Sequence, residues 1–200
     1  MNVSIVLEDY PRDRFIAELT LQALFQYLGT RARVAAVPER MGSVEQAMDT
    51  KLLLPVIATR SGMADLILLL VDRDCCAPDR PRGGDREHAL RELERRVEAS
   101  GTLGPRCHFI AFQAIEELEI WLLAGFNRPN WNAIRTECDP KETYFEPFAK
   151  ERRVYDLPAE GRHELMREAV RRYRRIRVLC PELQQLEERI SQLRLPEFLQ

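Results

Sequence analysis

Residues 66–76 read LILLLVDRDCC, six apolar residues followed by two aspartates that stand one residue apart. An uninterrupted apolar run of this length is typical of a strand that is buried on both faces, as in a parallel sheet. In α/β folds, ligands bind at the edge of the sheet where such strands end. Asp72 and Asp74 therefore stand where a functional site is expected.

This stretch belongs to a regular alternation of strand and helix patterns in the first half of the chain. Apolar runs predict the strands, and a period of about 3.6 residues predicts the helices. Ser43 is a plausible N-cap, and Pro55 is expected to kink or end the helix that contains it. The predicted strands cover 3–8, 31–37, 65–71 and 107–113, and the predicted helices cover 13–28, 43–60, 85–101 and 114–125. This order predicts an α/β fold with a mostly parallel four-stranded sheet and flanking helices.

No strand pattern follows residue 126. A helix is expected to begin at Asp139–Pro140, because an aspartate followed by proline is a typical helix start. An arginine-rich helix is expected over 163–178, and a last helix from Pro181 to about 193. We therefore predict an α/β domain over 1–126 and a helical C-terminal extension over 127–200 that packs on it.

Composition and charge exclude several classes of protein. The chain is 45% hydrophobic and 31% charged, which is typical of a folded protein and not of a disordered one. The net charge of −2 argues against a protein that coats nucleic acid, because such a protein needs an overall positive charge. The N-terminus lacks the pattern of an export signal, and no apolar run is long enough to span a membrane. We expect a cytoplasmic protein without a membrane partner.

Acidic residues follow three of the four predicted strands. Glu8 ends the first strand, Asp72 and Asp74 end the third, and Glu117 and Glu119 follow the fourth. Side chains two residues apart in an extended segment point the same way, so the two aspartates can converge on one point. Carboxylates that close repel one another, and Mg²⁺ or Mn²⁺ would relieve the repulsion because both ions prefer oxygen ligands. We predict a metal site formed by Glu8, Asp72 and Asp74.

A site of this composition suits phosphoryl chemistry. A bound cation can polarise a phosphate group or activate a water molecule, and Glu8 could serve as a further ligand or as a general acid/base. Glu117 or Glu119 could supply another carboxylate, with Glu117 slightly favoured. Acids after a strand also cap the following helix, and that interpretation is preferred for Glu116. Trp121 is expected to be a packing residue because it lies within an apolar helix.

The arginine-rich helix allows two interpretations. Arg171, Arg174 and Arg175 could form a stripe that contacts the phosphates of a nucleic acid. The alternative is a solvated face with salt bridges to nearby glutamates such as Glu164 and Glu168. Both interpretations stay open at this point.

The order of these residues resembles that of a known domain. A glutamate at the end of the first strand (Glu8) and a DxD at the end of the third resemble the Toprim domain of topoisomerases, primases and OLD-type nucleases. The chain resembles more closely a group of small bacterial Toprim-like proteins called DUF4276. The further matching motifs are ELEIWLLAG (117–125), DPKET (139–143) and the pair Cys180–Pro181.

The resemblance implies a Toprim-like (Rossmann-like) fold and a metal-dependent nuclease or phosphodiesterase that acts on nucleic acid. It implies Mg²⁺ or Mn²⁺ bound by Glu8, Asp72 and Asp74, with Glu117 as a further catalytic residue. It also implies an ABC/SMC-type ATPase partner in bacterial defence.

Three positions depart from the pattern of the resembled family. Asp9 replaces a glycine. Arg12 stands where the family usually has a second acid, and its positive charge would repel a second metal ion. Gly125 stands where the family's helix motif usually ends in aspartate. Glu8 and both aspartates of the DxD are retained, which is sufficient for a one-metal site. The alternative is a non-catalytic protein-interaction module with a degenerate Toprim fold.

Overall fold

The computed structural model describes residues 1–39, 41–73 and 86–193, and the structural statements below concern these residues. Within them, one sheet contains four strands in the order β2-β1-β3-β4, and all neighbouring strands are parallel. The strands are β1 (Asn2–Leu7), β2 (Arg33–Ala36), β3 (Leu66–Asp72) and β4 (His108–Ala114). The predicted α/β class with a parallel four-stranded sheet is confirmed.

Five helices connect or follow the strands in the first part of the chain. They are α1 (Tyr10–Tyr27), α2 (Val44–Ala47), α3 (Thr50–Arg60), α4 (Glu87–Ala99) and α5 (Glu119–Ala124). The single helix predicted over 43–60 is wrong, because Asp49 caps a second helix by accepting a hydrogen bond from the Lys51 N–H at 2.9 Å. Ser43 caps the first of the two, accepting from the Gln46 N–H at 3.2 Å. Pro55 lies inside α3 and does not end it.

The rest of the described chain is helical, as predicted. A π-helical turn (Lys141–Phe145) leads into the helix Glu146–Glu151, and 3₁₀ turns (Pro158–Gly161 and Val170–Arg172) precede and follow the helix Arg162–Ala169. The α-helices are α6 (Trp131–Arg135), α7 (Glu146–Glu151), α8 (Arg162–Ala169), α9 (Tyr173–Leu179) and α10 (Pro181–Ser191). The arginine-rich helix predicted over 163–178 is therefore interrupted. No described helix combines the length and the apolar character that a membrane crossing requires.

Both faces of the sheet are buried, which explains the continuous apolar run of β3. Leu66, Leu68 and Leu70 belong to one hydrophobic cluster, and the alternating residues Ile67, Leu69 and Val71 belong to the other. The first cluster also contains residues of α1, α5 and the C-terminal helices, so the helical extension packs on the sheet domain. The proposed boundary between residues 126 and 127 stays a prediction.

Helices α5 and α8 approach each other closely at Gly125. A Cβ atom at this position would lie 2.5 Å from the Cβ of Ala169, which is closer than two carbon atoms can approach. The close contact gives a packing reason for glycine at the place where the resembled family usually has aspartate.

Side chains form hydrogen bonds with backbone groups on both edge strands of the sheet. On β2, the Ala36 N–H donates to Glu18 at 2.8 Å. On β4, the Ala111 N–H donates to Glu94 at 2.7 Å, and the Ala111 carbonyl accepts from Arg189 at 3.0 Å. Arg189 also forms an ion pair with Glu94.

Candidate functional site

The predicted site lies at the carboxyl edge of the two central strands. Leu7 at the end of β1 pairs with Leu70 of β3. Glu8 directly follows β1, and Asp72 is the last residue of the neighbouring strand β3. Because the strands are parallel, both acids lie at the same edge of the sheet. The structure therefore brings Glu8 and Asp72 to the same region, as the strand order predicts.

Asp72 is a buried acid at this edge. Its Oδ1 atom is shielded from solvent and has no hydrogen-bond partner among the described residues. Burial raises the pKa of Asp72 well above its ordinary value, and the negative charges of Asp13, Glu119, Glu117 and Glu8 raise it further. A buried carboxylate without a partner is costly, so such an atom needs an explanation.

The sequence reasoning missed Asp13. Its side chain is 9% exposed, and no hydrogen bond or ion pair joins its carboxylate to another described residue. Burial and then the charge of Glu119 raise its pKa well above the ordinary value, while Arg162 lowers it. Asp13 stands three and four residues before the buried Ile16 and Ala17, on the face of α1 that packs inward.

Arg12, which stands where the resembled family usually has a second acid, is about half exposed. Its side chain is 48% exposed, and its guanidinium lies 4.0 Å from Asp9 and 3.9 Å from Glu160. The neighbouring Asp13 is the residue of this turn that faces the acidic group. The described structure thus places an acid, and not Arg12, on the buried side.

The acids that follow β4 are arranged differently from the prediction. The helix expected over 114–125 begins only at Glu119, because β4 continues to Ala114 and Glu116 adopts a left-handed backbone with φ 63°. Glu116 forms an ion pair with Arg73. Glu117 therefore lies in the connection before α5 and not in its first turn.

Glu117 is held by the start of another helix. Its Oε2 atom accepts a hydrogen bond from the Lys141 N–H at 2.9 Å, next to the Asp139–Pro140 motif. Burial raises the pKa of Glu117 to about 8, with a further contribution from the charge of Glu119, although the Lys141 hydrogen bond acts in the opposite direction. Glu117 can therefore exchange a proton near neutral pH.

Glu119 is the acid of this group that has a buried cation as its partner. Its Oε1 atom accepts from Nε of Arg162 at 3.0 Å and also from Nη2. Arg162 is the first residue of α8, and its side chain is fully buried. The guanidinium lies 4.6 Å from the ring centroid of Phe145. The helical extension thus places a positive charge at the acidic edge of the sheet domain. No local sequence pattern predicts this contact.

The donor set of the edge suits a hard divalent cation. Its members are carboxylates, and the shielded Oδ1 of Asp72 points to a missing partner. Within the described ranges, no three His, Cys, Asp or Glu side chains are placed so that they could hold a metal ion together. Asp74, the third predicted ligand, lies outside the described residues.

The arginines predicted to contact nucleic acid have different environments. Arg171 and Arg174 are exposed, whereas Arg175 is partly buried and donates from Nε to the Ala124 carbonyl at 3.1 Å. Arg175 therefore contacts the last turn of α5. Trp121 is fully buried, which confirms its predicted packing role.

Comparison of the chain with models of protein families, with curated proteins and with solved structures finds no match.

Proposed function

We propose that the protein is a metal-dependent phosphodiesterase of Toprim type that cleaves nucleic acid. The observation that carries the proposal is the shielded, unpartnered Oδ1 of Asp72 at the carboxyl edge of the sheet, with four further carboxylates close enough to raise its pKa. Asp72 and Glu8 would bind Mg²⁺ or Mn²⁺ together with Asp74. The bound ion would polarise a phosphate group and lower the pKa of a coordinated water.

Glu117 is the proposed general acid/base. A group with a pKa near 8 can hold a proton or accept one at the pH of the cell, which is the property that acid/base catalysis requires. Its hydrogen bond to the Lys141 N–H fixes the direction of the carboxylate. Glu117 would therefore act on the proton of the attacking water or of the leaving oxygen.

Nucleic acid is proposed as the substrate because it offers the phosphodiester that this chemistry attacks. Arg171 and Arg174 are exposed and could contact its phosphates. An ABC/SMC-type ATPase as partner rests on the resemblance in sequence alone.

The first test measures thermal unfolding with increasing Mn²⁺ or Mg²⁺. A ligand that binds only the folded state stabilises it by about 2.7 kcal/mol at a hundredfold excess over Kd. We expect a saturable rise in Tm for the wild type and none for Asp72→Asn.

Asp65→Asn is the matched control. Asp65 precedes the other end of β3 and accepts a hydrogen bond from the Asn2 N–H at 2.7 Å, a role that asparagine keeps. This variant should respond to Mn²⁺ as the wild type does. No shift in the wild type, or an equal shift in Asp72→Asn, would contradict the proposal and favour a non-catalytic interaction module.

Cleavage is tested next with single- and double-stranded DNA and RNA in the presence of Mn²⁺. Asp72→Asn should abolish cleavage. Glu117→Gln should remove the pH dependence that this carboxyl imposes on kcat. Activity that persists in Asp72→Asn would rule out the proposed site.

A further inference from the structure

The helical segment over 162–179 buries one face and exposes the other. The buried positions of its second half are Ala169, Tyr173 and Ile176. An exposed arginine stands two residues before each of them, and these arginines are Arg167, Arg171 and Arg174. Two residues correspond to about 200° around a helix, so the arginines lie on the side that points away from the core. We call these three residues the arginine face.

The glutamates next to the arginine face have other partners. Glu168 forms an ion pair with Arg152 and lies 4.0 Å from Nη1 of Arg172. Glu164 lies 3.6 Å from Nδ1 of His163. Among the residues that the structure describes, no carboxylate forms a salt bridge with the arginine face. Its three positive charges are therefore not neutralised by the described part of the chain.

The arginine face borders an open concavity of about 600 Å³. The lining residues are Glu164, Arg167, Glu168, Arg171 and Arg172. Because Arg152 and Arg172 match the charge of Glu168, the charges of Arg167 and Arg171 exceed the one negative charge that remains at Glu164. A guanidinium can donate to two oxygens of a phosphate group at once. The concavity therefore suits a phosphate group.

The spacing of the arginine face fits a row of phosphates. Arg167 and Arg174 are seven residues apart, which is about 10 Å along a helix at 1.5 Å per residue. One strand of a nucleic acid duplex presents about three phosphates over this length. At the start of the same segment, Arg162 bonds to Glu119, the first residue of α5. The segment thus leads from the acidic edge of the sheet to the arginine face.

We propose that the arginine face binds the phosphate backbone of the nucleic acid and that this binding does not need the metal ion. The inference rests on the proposed function for the identity of the ligand. The chain has a net charge of −2, so its affinity for a polyanion has to come from a local excess of positive charge. Contacts with phosphates position a nucleic acid without reading its sequence. We therefore expect binding that is independent of sequence and strongly dependent on salt.

Fluorescence anisotropy with labelled single- and double-stranded DNA and RNA, in the presence of a chelator, tests the inference. We expect the wild type to bind, and Arg167→Gln/Arg171→Gln/Arg174→Gln to bind more than about tenfold more weakly at low salt. The slope of log K against log salt concentration should become less steep by about 2 for single strands and by about 3 for duplexes, since each phosphate contact contributes about 0.7 or 0.9. Thermal unfolding should show a folded triple variant, because all three side chains are exposed.

Arg91→Gln/Arg95→Gln/Arg96→Gln is the matched control. It removes the same charge from α4, which packs against the other face of the sheet, at arginines that already pair with glutamates of their own helix. This variant should bind as the wild type does. An equal loss in both triple variants would mean that net charge alone governs binding and would overturn the inference. If the triple variant of the arginine face does not fold, Arg174→Gln alone should reduce the slope by about 1, and an unchanged slope would overturn the inference.

The inference and the proposed function fail in different ways. A wild type that binds none of these nucleic acids, or that binds only vesicles of anionic lipid, would overturn the inference. Cleavage that needs Asp72 but is unchanged in the triple variant of the arginine face would overturn the inference and leave the proposed function standing. Binding that the arginine face controls, without cleavage in Mn²⁺, would support the inference and contradict the proposed function.

Discussion

The chain buries carboxylates in two regions, and it treats them differently. In the helical extension, Glu182 accepts from Nε1 of Trp121 at 2.9 Å and from Arg135 at 2.6 Å. Glu187 accepts from the Tyr173 hydroxyl at 2.9 Å and from Arg177 at 2.8 Å. Each of these acids thus has a cation and a neutral donor of its own.

At the carboxyl edge of the sheet, the buried Arg162 forms a salt bridge with Glu119. Asp13, Asp72 and Glu117 form no salt bridge with another described residue, and the pKa of each is raised. Matched acids, which have a cation as partner, hold helices together. Unmatched acids, which have none, lower the stability of the folded protein in the absence of a ligand. The difference indicates a functional role for the acids at the edge and a structural role for the acids in the extension.

The largest effect is expected when a matched acid is removed. Glu182→Leu leaves Arg135 and the Trp121 N–H without their partner, and loss of one member of a buried ion pair costs about 3–5 kcal/mol. Urea unfolding measures the change in the free energy of unfolding. Glu188→Leu, at an exposed position of the same helix, should change it by less than about 0.5 kcal/mol. Similar losses in both variants would contradict the assignment of Glu182 to a structural pair.

Removal of an unmatched acid should have the opposite sign. Asp72→Asn takes away a charge that burial and four carboxylates disfavour. We expect the metal-free variant to be more stable than the wild type at pH 8, because it lacks the charge that burial and the neighbouring carboxylates disfavour. Urea unfolding in the presence of a chelator measures the difference. A less stable variant would mean that Asp72 has a favourable partner in the metal-free protein.

The pH dependence of stability tests a second acid of the edge, Glu117. The pKa of Glu117 is about 8 in the folded protein against an ordinary 4.5, so the folded state holds this proton more tightly than the unfolded state does. The stabilisation is complete below pH 4.5 and is lost as the pH rises to about 8. We expect the metal-free wild type to lose stability relative to Glu117→Gln over this range, measured by urea unfolding at each pH. Parallel profiles of the two proteins would contradict the raised pKa.

The smallest effect separates two neighbouring arginines. Arg175→Ala removes the hydrogen bond to the Ala124 carbonyl and should cost about 1 kcal/mol. Arg174→Ala, at an exposed position, should change stability by less than about 0.5 kcal/mol. Thermal unfolding of the two variants measures both values. Equal values would remove Arg175 from the contacts that hold α5 against α9.

The sheet could be predicted because each strand is an apolar run with clear ends. The predicted ranges 3–8 and 65–71 differ from Asn2–Leu7 and Leu66–Asp72 by one residue at each end. The start of α5 was predicted wrongly, because residues 115–118 fit a helical period and nothing in the sequence announces the left-handed backbone of Glu116. A single backbone angle thus moved Glu117 from a helix into a connection.

The predicted site is partly local and partly long-range. The positions of Glu8 and Asp72 follow from the strand ends, and the burial of Asp13 could have been inferred from its spacing to Ile16 and Ala17 once α1 is seen to begin at Tyr10. Arg162 could not have been inferred, since its partner Glu119 lies 43 residues away along the chain. A single sequence shows periodicity but not which distant charges meet.

The hydrogen bonds that Glu18, Glu94 and Arg189 make to the edge strands have a consequence for the behaviour of the protein in concentrated solution. An edge strand with free N–H and carbonyl groups can pair with a strand of another molecule and begin an aggregate. Here Ala36 on one edge and Ala111 on the other are already bonded to side chains of the same chain. A strand that is added to either edge would have to displace a charged side chain, so both edges of the sheet resist the addition of further strands.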